Sequence, residues 1–400
     1  MKRFDLITPE GTRDLLFGEC AAVTAVENRL LDMFRARGYS EVVTPGLEFY
    51  DVFDLKSRYF PQESMYKLVD NKARLMVVRP DSTMPIARMT ATRLRGEALP
   101  IRLCYCQSVY RNRPGMRGRS DEIRQTGIEL IGSSSKRAEI EMLSNALEAL
   151  SSFRTGGFRL ELGHIGYFKA LIDKIGCDQD TIENIRSLIE YKNYPALGDM
   201  LSEMGSSGAV QALKQLPKLF GGTEVFQKAA ELAGDSEAAM NALKELRTVY
   251  EKLTALGYDG TITIDLGLVN RMDYYTGIVV KGYIEGCGDA VLSGGRYDRL
   301  LSEFGFDAPA IGFAVNADAV ARTEMRLHDF SDTPADVIVF GEDGYEIKAI
   351  EHTKSLISSG LKAEYAVFDT KEETLRYAAT KHIHRIDTVG ETITEEHTNE

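Results

Sequence analysis

The placement of strand-forming segments constrains this chain most. β-rich runs fall at 74–78 (RLMVV), 101–110 (IRLCYCQSVY) and 123–131 (IRQTGIELI). They resume at 261–269 (TITIDLGLV), 278–284 (IVVKGYI) and 290–295 (AVLSGG). Between the two sets, residues 165–256 show helical spacing nearly throughout, as in TIENIRSLIEY and AAMNALKELRTVYEKL. Strands from distant sequence separated by helices predict an α+β domain around a mostly antiparallel sheet. The block at 165–256 reads as a helical insertion.

Other segments fit that plan. Val23, Val26, Leu30 and Phe34 recur at helical spacing within 21–38, and Gly38 is a natural stop. Residues 40–45 (SEVVTP) favour a strand ending at Pro45, and 136–151 favours a helix with Ile140, Leu143, Leu147 and Leu150 on one face. From Thr333 the pattern changes: strand at 337–340, helix near 345–359, strand at 364–368, helix near 371–380. That alternation predicts a small α/β module with a parallel sheet. At roughly 150 residues per domain, 400 residues suggest two or three domains. The boundaries expected are a core at 1–325, a module at 333–391 and a polar tail at 392–400.

The net charge of −12 disfavours a nucleic-acid binder, which usually carries a basic footprint. The five cysteines show no CxxC or Cys/His zinc spacing, so reduced thiols and no metal are expected. Cys104 and Cys106 share one strand face and read as small core residues. The N-terminus lacks the apolar run of a signal peptide, and no uncharged run approaches the ~20 residues of a membrane span. A cytoplasmic protein without membrane contact is expected.

Four constellations bear chemistry. In an extended QTGIELIG, Gln125, Gly127 and Glu129 share a face, and the glycine leaves room for a ligand near the backbone. The same pattern fits a solvated strand side. Arg111, Arg113, Arg117, Arg119 and Arg124 surround a Gly/Pro loop suited to phosphate or carboxylate, or to an acidic partner surface. In RPDST, Asp81 and Thr83 can together meet an ammonium group, or the acid can cap a helix. NRMDYYTG (270–277) and SGGRYDRL (293–300) offer tyrosine rings and a double glycine, although paired tyrosines also serve as core. No nucleophile–base arrangement stands out.

In this order, the four segments resemble histidyl-tRNA synthetase over residues 1–325. TPGLEF is similar to the dimer-forming first motif of class II synthetases, SVYRNRPGMRGRSDEIRQTGIELIG to the second, and AIGFAVNADAV to the third. LVNRMDYYTG and SGGRYDRL resemble the two histidine-specific signatures. The resemblance implies a class II synthetase-like antiparallel sheet with flanking helices, and a histidine pocket. Asp81 (glutamate in the family), Thr83 and Gln125 would hold the amino group; Glu129, Tyr274 and Tyr275 the imidazole. Arg111 would neutralise a carboxylate, with Arg271, Arg117 and Arg119 as further carboxylate or regulatory contacts.

Departures from the family pattern change the expected activity. Asn270 stands where the family has the arginine that assists activation, and Arg271 where glycine is usual. Ala319 replaces the adenine-stacking arginine, and Arg113 replaces a glutamate. Adenylation develops negative charge that fixed cations must meet, so these losses imply a chain that binds histidine and does not activate it. From Thr333 onward, 14 acids against 7 bases (−7) do not suit tRNA. The profile resembles the regulatory subunits of ATP phosphoribosyltransferase. That resemblance implies no catalytic residue and no cofactor, L-histidine as effector, a separate catalytic subunit as partner, and a homodimer within a hetero-oligomer. An active histidyl-tRNA synthetase, or a synthetase-like amino-acid sensor with another partner, stay open as alternatives.

Overall fold

The computed structural model describes residues 4–55, 62–112, 120–269, 274–331 and 333–397. Helix α1 (Phe17–Ala36) buries the expected stripe of Val23, Val26, Leu30 and Phe34. The chain leaves it through Gly38 at φ +78°, a left-handed conformation that glycine adopts without a Cβ clash. Strand β1 (Ser40–Glu41) is shorter than the strand expected over 40–45. Pairing ends with the Val42 N–H on Cys104 O at 2.9 Å, ahead of Pro45, which has no donor to offer. Strands β2 (Leu47–Phe49), β3 (Lys67–Val69) and β4 (Leu75–Val78) make a small antiparallel sheet of order β2-β4-β3.

Helix α2 (Thr83–Arg93) leads to β5 (Ile101–Tyr110) and β6 (Glu122–Ile131). These two pair antiparallel residue by residue, from Ile101 opposite Ile131 to Tyr110 opposite Glu122. Helix α3 (Lys136–Ser152) starts where Ser135 Oγ accepts the Arg137 N–H at 3.2 Å. Its residues Leu143, Leu147 and Leu150 are buried, whereas Ile140 is half-buried. Strand β7 (Phe158–His164) was hidden in a segment with several polar residues.

The insertion comprises α4 (Ile165–Ile175), α5 (Gln179–Glu190), α6 (Tyr194–Glu203), α7 (Gly208–Gln215), the two-residue β8 (Phe220–Gly221), α8 (Glu224–Ala233) and α9 (Glu237–Leu253). It is joined to the main sheet, because β8 pairs with the next strand, β9 (Ile262–Asp265). That strand is shorter than the 261–269 expected. Then come β10 (Ile278–Ile284), β11 (Leu292–Arg296), α10 (Leu300–Glu303), β12 (Ala310–Asn316) and α11 (Ala317–Glu324). The nine-stranded sheet has the order β1-β5-β6-β12-β11-β10-β7-β9-β8. Among the described residues, only β1–β5 and β7–β9 are parallel neighbours in it, so the sheet is mostly antiparallel, as its strand spacing predicts. Cys104 is buried and Cys106 half-buried in β5, and both are free thiols.

The chain divides into two compact units, Met1–Phe330 and Ser331–Glu400. The second contains β13 (Val337–Gly341), α12 (Glu346–Ser358), β14 (Ala363–Tyr365), α13 (Lys371–Lys381), β15 (Arg385–Val389) and β16 (Ile393–His397). Its sheet runs β14-β13-β15-β16, with β13 parallel to both neighbours. The polar tail expected at 392–400 is corrected here, since Ile393–His397 pairs antiparallel with β15. An edge strand needs backbone partners on one side only, so its side chains can remain polar; Glu395 also meets Arg385 at 2.8 Å. Among the described residues, no helix is long and apolar enough to cross a membrane.

Candidate functional site

The middle strands of the large sheet bring one buried polar cluster together. Glu129 on β6 is 1% exposed. The Thr83 hydroxyl, at the start of α2, donates to its Oε1 at 2.8 Å, and the Tyr297 hydroxyl, just after β11, donates to its Oε2. Burial pushes the carboxyl up to about 8, against these two hydrogen bonds. Room for the carboxylate comes from Gly312, which faces Glu129 in the β6–β12 register. A Cβ there would lie 1.8 Å from Glu129 Oε2.

Gly127 plays the same part for Tyr105, its partner across β5 and β6. A Cβ at Gly127 would lie 2.6 Å from the Tyr105 hydroxyl. Tyr274 and Tyr275 are buried beside this floor. Their ring centroids are 4.8 Å apart, and the Tyr274 ring meets Tyr297 edge-on at 5.6 Å. Burial raises the pKa of both tyrosines, and the Asp81 and Glu129 carboxylates push in the same direction. Lys169 Nζ anchors the Tyr275 carbonyl at 2.9 Å.

Asp81 forms a second acidic point. Its Oδ1 accepts the Met84 N–H at 3.0 Å, which caps the first turn of α2. Its Oδ2 stands 3.9 Å from Arg111 Nη2. Burial raises the Asp81 pKa, with Arg111 opposing. One oxygen thus caps the helix, and the other faces the protein's own Arg111. Arg111 also donates from Nε to Pro80 O at 2.8 Å. Gln125 lies on the Glu129 face of β6, about 14 Å along the strand at ~3.4 Å per residue.

The structure thus gathers Asp81, Thr83, Arg111, Glu129, Tyr274 and Tyr275, with Gln125 further along the same strand face. Arg117, Arg119 and Arg271, with the departures Arg113 and Asn270, lie outside the described residues. Two residues of the buried cluster escaped the sequence reading. Tyr297 sits within the quoted SGGRYDRL, but its bond to Glu129 spans 168 positions. Tyr105 was signalled only by the pairing that sets it opposite Gly127.

Chemically, the cluster suits a small polar ring with an ammonium group. The Asp81 carboxylate stands apart from the Glu129 carboxyl, which the Thr83 and Tyr297 hydroxyls hold, and the Tyr274 and Tyr275 rings pack beside Tyr297. No group of acids, histidines and cysteines among the described residues has the arrangement of a metal site. At the other end of β6, Ile123, Asn316, Asp318, Ala319, Arg322 and Arg13 help to line a cavity of about 280 Å³. Ala319, where the family resemblance leads one to expect an adenine-stacking arginine, lies on that wall.

Similarity to known proteins agrees with this architecture. The sequence model of the histidyl-tRNA synthetase family matches residues 11–320. The ATP phosphoribosyltransferase regulatory subunit of Clostridium kluyveri is 39% identical over 94% of this chain and 97% of its own length. That of Clostridium acetobutylicum is 40% identical over 97% of both chains. A crystal structure of an ATP phosphoribosyltransferase regulatory subunit/histidyl-tRNA synthetase from Bacillus halodurans superposes with a TM-score of 0.82 at 29% identity, covering 94% of this chain and 97% of that one. Histidyl-tRNA synthetase from Nostoc sp. PCC 7120 shares the fold, with a TM-score of 0.79 at 19% identity over 99% of this chain and 97% of that one. On a class II synthetase fold, with ten-residue strands framing a buried acid, this chain belongs to the family of ATP phosphoribosyltransferase regulatory subunits.

Proposed function

We propose that this chain is the non-catalytic, histidine-sensing subunit of an ATP phosphoribosyltransferase. A separate catalytic subunit joins ATP to phosphoribosyl pyrophosphate, the first step of histidine biosynthesis. Histidine bound to this chain biases the complex toward an inhibited state, and by linkage the partner's state alters histidine affinity. The observation that carries this reading is Glu129, buried under Thr83 and Tyr297 beside two tyrosine rings. In that place it meets an imidazole nitrogen. Asp81, Thr83 and Gln125 take the ammonium end, and Arg111 takes the carboxylate, with Arg271, Arg117 and Arg119 as further contacts. A pocket of this kind rejects ligands that leave its buried polar groups unpaired.

The same reading assigns no aminoacylation activity, because cations that would meet the developing phosphate charge are replaced at Asn270 and Ala319. It also assigns a homodimer across the TPGLEF segment, where Leu47 and Phe49 of β2 point outward at 47% and 42% exposure. The deciding experiment is a phosphoribosyltransferase assay of the catalytic subunit with and without this chain, each with and without histidine. Activity should require the chain and fall with histidine, and the fall should vanish with Glu129→Ala. Robust histidine-dependent ATP–pyrophosphate exchange by the purified chain would instead identify an active synthetase. Failure to associate with any phosphoribosyltransferase subunit would favour an amino-acid sensor with another partner.

A further inference from the structure

Arg79 directly follows β4 and stands two residues before Asp81. It is 5% exposed. Its Nη1 donates to Thr44 O at 2.7 Å, Thr44 Oγ1 at 3.1 Å, Pro45 O at 3.0 Å and Gln107 Oε1 at 3.1 Å. Its Nη2 and Nε both reach Ser108 O, at 2.7 and 3.1 Å. Each of these acceptors is neutral. The backbone is tied as well: the Arg79 N–H bonds Gly46 O at 2.9 Å, and its carbonyl accepts the Tyr110 N–H at 2.9 Å. One residue therefore stitches the turn before β2, the end of β4 and the last residues of β5.

A buried cation resting on neutral acceptors is a costly way to join three segments, since an apolar side chain could fill the space without desolvating a charge. Its position explains the choice. The residues that follow are pinned one after another: Pro80 O by Arg111, Asp81 by the Met84 N–H, and Thr83 by Glu129. Asp81 is itself 5% exposed, and the guanidiniums of Arg111 and Arg79 both favour its charged form. By contrast, the Glu129 end of the pocket is held by β6, β12 and Tyr297, none of which Arg79 touches through the bonds described; Thr83, four residues beyond Arg79, links the two ends through its single bond to Glu129.

We infer that Arg79 is a positioning residue for the ammonium end of the ligand: it fixes the turn that presents the Asp81 carboxylate, and bears far less on the ring-binding end, which β6, β12 and Tyr297 hold. This rests on the histidine-pocket reading. The consequence is selective. Ligands carrying an ammonium group depend on Arg79, and a bare ring does not. A merely structural arginine would weaken all ligands together.

Three probes separate these cases: L-histidine, histamine and imidazole, titrated into the full chain and followed by protein-observed NMR. Arg79→Gln should weaken histidine and histamine by about tenfold or more, the size expected when hydrogen bonding to a charged group is disturbed. Imidazole should change by less than about twofold, well under the tenfold step that corresponds to ~1.4 kcal/mol. Arg79→Lys restores the charge without the fork and should recover part of the loss. Thr44→Val removes one acceptor of the clamp and should show the same order of effects at smaller size, which decides the matter if Arg79→Gln does not fold. Equal weakening of all three ligands, or no weakening in a folded variant, overturns the role of Arg79. If the unaltered chain binds none of the three, the pocket reading itself fails, and this inference with it.

Discussion

Glu129 shows how one residue can be legible in sequence while its chemistry is not. Strand alternation in QTGIELIG places it on a face with Gln125 and Gly127, and the structure keeps that arrangement. Its protonation depends on residues far away. Burial lifts its pKa from 4.5 to about 8. The folded chain therefore holds a proton that the unfolded chain has already lost, and the carboxyl weakens the fold progressively as pH rises from about 4.5 to about 8. Glu129→Gln cannot ionise. Its melting temperature relative to the unaltered chain should climb across that window and level off above it; a pH-independent difference would show that the carboxyl titrates normally. Gly312 offers a second test. A Cβ there would lie 1.8 Å from Glu129 Oε2 and 2.4 Å from Ile128 O. Gly312→Ala should destabilise the chain by about 1–3 kcal/mol in urea unfolding, and calorimetry should show histidine binding lost.

At the scale of elements, α2 carries much of the candidate site, and its RPDST start read either as an ammonium-binding pair or as a helix cap. Its N-terminus carries Asp81 and Thr83 to the pocket, while Arg88 further along donates to Glu48 of β2 at 2.7 Å. The Glu48 side chain is 7% exposed, so Arg88→Ala leaves a buried carboxylate without that partner. A loss of about 2 kcal/mol in chemical denaturation is expected, and Glu48→Gln combined with Arg88→Ala should return part of it. In the second unit, Asp387 on β15 is fully buried and takes hydrogen bonds from Arg385 and His352. Burial alone would raise its pKa, but these partners outweigh it and the net shift is downward. Its contribution is therefore present above the ordinary value of 3.8 and lost as pH falls below it. The edge strand β16 was missed because its residues are polar and alternate no apolar face, so only the neighbouring β15 reveals it.

For the whole molecule, the described pocket residues all belong to the unit Met1–Phe330. A chain ending at Phe330 should keep histidine affinity within about threefold, a difference below ~1 kcal/mol; loss of binding in a folded truncation would show that the second unit takes part in the site. The sequence by itself determined the long central strands, the helical insertion and the α/β alternation after Thr333, because these follow from side-chain period and local composition, which neighbouring residues encode. The assignment of Asp81, Glu129, Tyr274 and Tyr275 to one ligand came from the family resemblance. The tertiary structure alone decided that Tyr297 and Thr83 share Glu129 across 168 and 46 positions, that Gly312 opens space for its carboxylate, and that Arg79 ties three segments beneath Asp81. Strand order is set by burial of the whole sheet, and no stretch of sequence contains that information locally.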